Sequence, residues 1–232
     1  MITIESLKKV YDFTTVLEIP ELIIPQSQCF GLVGNNGAGK TTLLRLILDL
    51  IRASAGEVFI EGENVTKVEN WKKVTGAYLD DHMLLGYLTP DEYFEVLRKV
   101  HKMSDADLKL HNERFESFFN DEILGQKKYI RDLSKGNKKR VGISAAFFGN
   151  PQLVLLDEPF ESLDPSSQIR LKKIVEKEKE EKSTTFMISS HDLDHVTEVC
   201  ERIVLLEKGV IKQDITGTRE DKFEVLNTYF SG

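Results

Sequence analysis

The chain has 232 residues, of which 41% are hydrophobic and 30% are charged, and its formal net charge is −7. This composition is that of a globular protein, and the length suits one α/β domain with an inserted subdomain. No apolar run approaches the roughly 20 residues that span a bilayer, so the sequence predicts no membrane-spanning helix. The negative charge and the lack of a basic stripe interleaved with aromatic residues argue against a nucleic-acid binder.

Two features of the sequence bear on the cellular compartment. Residues 1–5 read as the beginning of a strand rather than as a signal peptide. Cys29 and Cys200 are too few for a disulfide framework, and we expect the first in a core strand and the second in a packed helix. These features favour a cytoplasmic protein.

The N-terminal stretch alternates apolar and polar side chains, a period of two that is typical of strands with one buried face. The apolar members of this pattern within residues 1–30 are Ile2, Ile4, Val16, Leu17 and Ile19. Together with residues 57–60, they are expected to form antiparallel strands.

Residues 34–42 fit the pattern G-x-x-x-x-G-K-[ST] of a phosphate-binding loop, and a strand-like run precedes them while a helical run follows. Glycines let backbone N–H groups turn towards a polyphosphate at the positive end of the following helix. Lys40 would reach the terminal phosphates, and the Thr41 hydroxyl would contact Mg²⁺. We therefore predict that this chain binds a nucleoside triphosphate. The predicted binding residues of the loop are Gly34, Asn35, Asn36, Gly37, Ala38, Gly39, Lys40, Thr41 and Thr42.

After about residue 84, the spacing of apolar residues becomes that of helices. Thr89 is placed as an N-cap with Pro90 in the first turn and Glu92 closing a capping box. A second helix is expected to begin at Ser104. We interpret the apolar residues of these two helices as core, namely Tyr93, Phe94, Val96, Leu97, Val100, Leu108, Phe115, Phe118 and Phe119. After residue 153 the pattern returns to strand, helix, strand and a hairpin over residues 202–212.

Two polar motifs lie in this second half. Ser134 precedes a helical run and is a natural N-cap, so the free N–H groups of that helix face outwards. The apolar run at residues 153–156 ends in Asp157 and Glu158, at the edge of a sheet where ligands of α/β proteins bind. Asp157 suits a magnesium ligand, and Glu158 suits a base that positions or deprotonates the attacking water.

In their order along the chain, these motifs resemble those of the ATP-binding cassette (ABC) family, and the resemblance covers nearly the whole chain. Residues 133–137 correspond to the family's signature, LSGGQ. The resemblance implies a P-loop NTPase fold of the α/β class, with a RecA-like core, N-terminal antiparallel strands and an inserted α-helical subdomain. Within one domain, 1–232, the core would comprise residues 1–85 and 148–232, and the insert residues 86–147.

The resemblance also implies a role for individual residues, with ATP and Mg²⁺ as cofactors. Tyr11 matches the aromatic residue that stacks on adenine. Ser134 and Gly136 match the signature groups that contact the γ-phosphate bound by the opposite subunit. Residues 162–164 match a loop that crosses to that subunit, and His191 matches the switch histidine that contacts the γ-phosphate.

The chain departs from the family pattern at two places. The signature reads LSKGN, with Lys135 in place of a glycine and Asn137 in place of the glutamine. Asp81 aligns, within one residue, with a position where the family usually has glutamine. A carboxylate binds Mg²⁺ more strongly than an amide, so Asp81 is a candidate metal ligand in addition to Thr41 and Asp157.

The assembly that the resemblance implies is a head-to-tail pair with two ATP molecules between the phosphate loop of one subunit and the signature of the other. The second subunit is either a copy of this chain or a paralogous cassette. The further partners are membrane-spanning permease subunits, which would hold this chain at the inner face of the cell membrane. We expect the permease to contact the apolar segment 82–88, although its residues could equally pack the insert onto the core.

Three functions are consistent with the sequence. The leading one is the ATPase subunit of a transporter, and the LSKGxKKR form of the signature resembles the exporter branch of antibiotic, multidrug or lipid type. The second is a soluble mechanical ATPase that acts on ribosomes or DNA, and the third is an ATP-binding module without hydrolysis. A GTPase is disfavoured, because Arg140 stands where the guanine-reading NKxD motif requires aspartate.

Overall fold

The computed structural model describes residues 1–231, with side chains through residue 230. In chain order, the strands are β1 (Ile2–Tyr11), β2 (Thr14–Ile24), β3 (Cys29–Val33), β4 (Ala55–Ile60), β5 (Glu63–Asn64), β6 (Thr75–Tyr78), β7 (Leu153–Asp157), β8 (Thr185–Ser190), β9 (Arg202–Glu207) and β10 (Val210–Thr216). The helices are α1 (Lys40–Ile47), α2 (Pro90–Val100), α3 (Asp105–Phe119), α4 (Lys135–Ala145), α5 (Pro165–Lys182), α6 (Leu193–Val199) and α7 (Arg219–Ser231).

These strands form two sheets. The first is antiparallel, with the spatial order β2–β1–β4–β5, and it confirms the strands predicted from the N-terminal alternation. The second has the order β10–β9–β3–β8–β7–β6 and is parallel except for the β9–β10 hairpin at its edge. The fold class is therefore α/β with an added antiparallel sheet, as the sequence predicts.

The central strands of the second sheet are buried on both faces, which explains their nearly continuous apolar sequences. Successive side chains of a strand point to opposite faces. In β7, Leu153 and Leu155 therefore join the core beneath the antiparallel sheet and α1, while Val154 and Leu156 join the core beneath the helices.

The register of the parallel strands decides where the functional loops meet. β3 and β7 both pair with β8, so the carboxyl ends of all three strands lie side by side. The phosphate loop follows β3, Glu158 follows β7 and His191 follows β8. Because parallel strands end at the same edge of a sheet, the fold brings together segments more than 100 residues apart in sequence.

Helices α2, α3 and α4 enclose an aromatic core. The Phe94 ring lies 5.4 Å from that of Phe148, and the His111 ring lies 4.0 Å from the same Phe148. Burial in this apolar environment lowers the pKa of His111 to about 3, so the imidazole is neutral. The capping box predicted at Thr89 is confirmed, and Ser104 caps α3 in the same way.

Two apolar residues of α2 do not belong to this core, which corrects the sequence-based interpretation. Val96 is 38% exposed and Val100 is 67% exposed. At 100° per residue they lie about 200° and 240° around the helix from the buried Phe94, and they therefore face away from it.

The two cysteines are buried and free. Cys29 lies in β3 as predicted, whereas Cys200 immediately follows α6 rather than lying within it. Their sulfur atoms are 3.4 Å apart. In the described range 1–231, no helix is both long enough and apolar enough to cross a membrane.

Candidate functional site

The loop between β3 and α1 has the backbone shape that its glycines permit. Gly37 and Gly39 have φ values of 82° and 107°, in the left-handed region that favours glycine. Gly34 is needed for a different reason, because a Cβ atom there would lie 2.3 Å from the backbone oxygen of Leu206. The loop therefore lies close against β9 at Gly34, and the free N–H groups of the first turn of α1 point into the space before that helix.

That space is a cavity of about 310 Å³ at the carboxyl edge of the parallel strands. Most of the residues predicted to bind the nucleotide line it, together with the two carboxylates. The lining residues are Tyr11, Val16, Asn35, Asn36, Gly37, Ala38, Gly39, Lys40, Thr41, Thr42, Asp157 and Glu158.

Asp157 lies at the end of β7 and is nearly buried. One of its carboxylate oxygens accepts a hydrogen bond of 2.5 Å from the Thr41 hydroxyl, and the other accepts one from the Ser189 hydroxyl. Burial raises the pKa of Asp157, and these two hydrogen bonds oppose the rise. The structure thus places the carboxylate and the hydroxyl predicted for Mg²⁺ in direct contact.

These groups fit a magnesium ion, which prefers hard oxygen ligands and usually keeps water and substrate phosphates in its coordination shell. Among the residues that the structure describes, no three His, Cys, Asp or Glu side chains form a cluster that could hold a metal. A bound Mg²⁺ would therefore take its remaining ligands from the phosphates of the nucleotide and from water.

Glu158 follows Asp157 and turns its side chain into the cavity. Its Oε1 atom lies 3.2 Å from the Lys40 ammonium, and its Oε2 atom lies 2.9 Å from His191 Nδ1. Lys40 also donates to the backbone oxygen of Gly34 at 2.6 Å. The structure thus brings together the three residues predicted to be catalytic, and the Glu158 carboxylate is held between a cation and an imidazole.

Tyr11 ends β1 at the rim of this cavity, with 46% of its surface exposed. The Lys9 ammonium lies 4.5 Å from the centre of the ring and covers one face of it. Stacking of Tyr11 on a base stays a prediction.

Ser134 and Gly136 are not among the residues that line the cavity. Ser134 is exposed and caps α4 by accepting a hydrogen bond of 3.2 Å from the backbone N–H of Asn137. Lys135, the residue that departs from the signature pattern, is also exposed and lies 3.4 Å from Glu161. The signature loop therefore presents its polar groups at a separate surface of the chain.

Asp81 does not line the cavity either. It lies in a short 3₁₀ turn after β6, and its carboxylate accepts a hydrogen bond of 2.5 Å from the Tyr78 hydroxyl. The neighbouring Asp80 caps this turn and pairs with Arg45 at 3.3 Å. The Asp81 side chain is thus already bonded within the chain, and its role as a metal ligand stays a prediction.

The structure adds two residues that sequence reasoning missed. Ser189 binds Asp157 through its hydroxyl, and its only signal in the sequence is a polar residue at the end of an apolar strand. Lys139 donates from its ammonium to the backbone oxygen of Glu158 at 2.6 Å. Nothing in the basic run 138–140 distinguishes Lys139, because its partner is a main-chain atom 19 residues away.

Comparison with known proteins places these motifs in a family context. A family model described as "ABC transporter" matches residues 17–161. The ABC transporter ATP-binding protein YtrB of Bacillus subtilis is 32% identical over 97% of this chain and 76% of its own length. The bacitracin transport ATP-binding protein BcrA of Enterococcus faecalis is 30% identical, over 93% of this chain and 69% of its own length. An uncharacterized ABC transporter ATP-binding protein of Nostoc, all4389, is 33% identical over 90% of this chain. The chain spans only 61% of that relative's length.

Solved structures share the fold. A dimeric post-hydrolysis state of the cassette MJ0796, bound to ADP and Pi, has a TM-score of 0.83 and 23% identity, and the match covers 93% of this chain and 98% of that one. An ATP-binding subunit of an ABC transporter has a TM-score of 0.85 and 24% identity, with coverage of 98% and 99%. At these identities the likeness carries the fold alone.

Proposed function

Since the chain belongs to the ABC transporter family of ATP-binding proteins, we propose that it binds and hydrolyses ATP to power substrate movement through separate membrane-spanning subunits. One observation carries the proposal. The Glu158 carboxylate, which lines the cavity, is held between the ammonium of Lys40 in the phosphate-loop motif and the His191 ring. The transporter proteins among its relatives favour this function over a soluble mechanical ATPase.

Binding of ATP would use groups that the fold holds in place. The backbone N–H groups of the glycine loop and the positive end of α1 would receive the phosphates, and Tyr11 would stack on the base. Thr41 and Asp157 would hold Mg²⁺, which would neutralise the negative charge that develops on the phosphates during transfer.

Hydrolysis would depend on an exchange of partners at Lys40. In the structure its ammonium is shared between Gly34 and Glu158. Triphosphate oxygens carry more negative charge than one carboxylate, so we expect the ammonium to move from Glu158 to the phosphates. The Glu158 carboxylate would then be free to accept a proton from the attacking water, while His191 continues to hold its other oxygen.

The exposed signature indicates that this site is completed by another subunit. Ser134 and Gly136 lie outside the cavity of their own chain, so they would contact the γ-phosphate held by a partner in a head-to-tail dimer. The partner is a second copy or a paralogous cassette. Contacts on the γ-phosphate from both subunits favour the closed dimer, and hydrolysis removes that preference.

The permease contact is proposed at the segment 82–88. Met83 is 40% exposed and Tyr87 is 63% exposed, whereas Leu84 is buried in the core. Met83 and Tyr87 are thus the exposed large hydrophobic side chains of this segment, and they would contact a membrane subunit that keeps the chain on the cytoplasmic face of the membrane. The signature form and the relative BcrA support an exporter of the antibiotic type.

The first test is Mg²⁺-dependent release of phosphate from ATP by the purified chain, alone and with its co-purified membrane subunits. Lys40→Ala should weaken ATP binding about tenfold to a hundredfold, because it removes a charge-assisted contact with the phosphates. Wild-type protein that releases no phosphate even with its membrane subunits would refute the proposed function.

The second test measures how much of the chain stays with the membrane fraction. Met83→Glu or Tyr87→Glu should release it while ATP binding is kept, because a charge would be buried in the contact. Val100→Glu is the matched control, since Val100 is an equally exposed apolar residue on α2. Equal retention of all three variants would exclude this docking site.

A further inference from the structure

Lys139 is a lysine that the fold buries, and none of the residues that the structure describes forms an ion pair with it. It lies in α4, and only 6% of its surface is exposed. Its ammonium donates to the backbone oxygen of Glu158 at 2.6 Å. Lysine is almost never fully buried unless it has a partner, so this hydrogen bond requires an explanation.

The burial has a cost that the surroundings only partly offset. Burial lowers the pKa of Lys139, while the carboxylates of Glu161, Asp81 and Glu158 oppose this shift and the nearby Lys135 adds to it. A methionine of similar shape would fill the same space without this penalty. The position of the ammonium therefore points to a role for its hydrogen bond.

The residue that accepts this hydrogen bond is itself unusual. Glu158 has a φ of 47°, in the left-handed region that residues with a side chain rarely adopt. Its backbone N–H donates to Ser189, whose hydroxyl oxygen is 3.0 Å away. The main chain of Glu158 is thus held on its N–H side by β8. Its carbonyl oxygen accepts the short hydrogen bond from Lys139 and a longer one, of 3.3 Å, from the backbone N–H of Glu161.

We propose that Lys139 is a positioning residue for ATP hydrolysis, which holds the main chain of Glu158 in the conformation that points its carboxylate into the cavity. The inference rests on the proposed function of Glu158. Lys139 is not among the residues that line the cavity, so it would act through its hydrogen bond to Glu158.

The test compares Lys139→Met and Lys139→Gln with a matched control, Lys222→Met. Lys222 is also buried, with 5% of its surface exposed, and it also donates to a backbone oxygen, that of Cys200. Its helix, α7, contributes no residue to the cavity. Loss of a buried lysine is thus matched, and only the link to Glu158 differs.

We expect Lys139→Met to lower kcat about tenfold to a hundredfold, because a misplaced catalytic group is that costly, while KM and the Kd for ATP change less than about twofold. Lys139→Gln keeps an N–H donor on a side chain one atom shorter, so its kcat should exceed that of the methionine variant. Lys222→Met should lose thermal stability and keep the wild-type kcat.

Wild-type kcat in Lys139→Met would overturn the inference. Parallel losses of ATP binding, thermal stability and turnover in Lys139→Met, with no recovery in Lys139→Gln, would also overturn it, since they indicate a structural role. If Lys139→Met does not fold, the kcat of Lys139→Gln decides. A kcat below that of the wild type at unchanged KM supports the inference, and a wild-type kcat overturns it. Absence of hydrolysis in the wild-type chain with its membrane subunits would be a failure of the proposed function instead.

Discussion

We compare the carboxyl edge of the parallel sheet with the signature loop, residues 133–137 at the start of α4, which we call the tip of the helical part. The two regions differ in how many of the partners of their polar groups lie within the same chain. At the sheet edge, polar side chains from β3–α1, β7 and β8 bind one another, and Asp157 and Lys40 are nearly buried. At the tip, Ser134 is exposed and its contact serves only to cap α4.

The two regions therefore have different roles. The sheet edge holds charges in place before any ligand arrives, which is what electrostatic catalysis requires. The helical part supplies rigidity instead, because its aromatic core fixes the direction of α4 and leaves the loop free to bind something else. Four measurements test whether the two regions differ in this way.

The largest expected effect is at the sheet edge. Glu158→Gln removes the proton acceptor but keeps the shape of the side chain, so turnover should fall about a hundredfold to ten-thousandfold while ATP binding is kept. Phosphate release and equilibrium binding measure the two quantities, and Glu180→Gln, an exposed change on α5, is the control. A Glu158→Gln protein with wild-type turnover would remove Glu158 from the role of base.

The second measurement tests whether the tip acts on another chain. Ser134→Arg should abolish turnover in the dimer and leave ATP binding by each chain unchanged, because the arginine blocks only the surface loop. An equal mixture of Ser134→Arg and Glu158→Gln chains should recover about a quarter of the wild-type rate, since half the dimers contain one intact site. A mixture as inactive as its components would contradict a site shared between chains.

The third measurement concerns the aromatic core that orients the tip. His111 is neutral in the folded state, with a pKa of about 3, whereas in the unfolded chain it titrates near 6.5. The unfolded state therefore binds more protons between these values, and stability falls as the pH is lowered. From pH 7 to pH 5 the loss should be about 2 kcal/mol. Denaturant unfolding of His111→Phe should show a smaller loss, and an equal loss would exclude His111 as the cause.

The smallest effect is expected at Asp81. Because its carboxylate bonds to Tyr78, Asp81→Asn should lower the free energy of unfolding by about 1 kcal/mol and leave the Mg²⁺ concentration for half-maximal turnover almost unchanged. A magnesium titration of the ATPase activity decides the point. A tenfold higher Mg²⁺ requirement would instead place Asp81 at the metal. The site at the sheet edge would then include the end of β6 as well as that of β7.

Much of the fold could be predicted because its signals are local. The glycine loop, the caps at Thr89, Ser104 and Ser134, and the alternation in β1 depend on residues within a few positions of one another. The family resemblance is confirmed by the matching family model. The prediction for Val96 and Val100 was wrong because an apolar residue on a helix does not by itself tell which face is covered.

The residue types of the site follow from the sequence alone, because phosphate chemistry is specified by the order of its motifs: the glycines, Lys40, the paired carboxylates and His191. Which atoms are in contact depends on the tertiary structure. The hydrogen bonds of Asp157 with Ser189 and of Lys139 with Glu158, and the exclusion of Asp81 from the cavity lining, all depend on strand register and helix placement. These contacts join residues far apart in sequence or use main-chain atoms, and neither leaves a pattern in the order of residues.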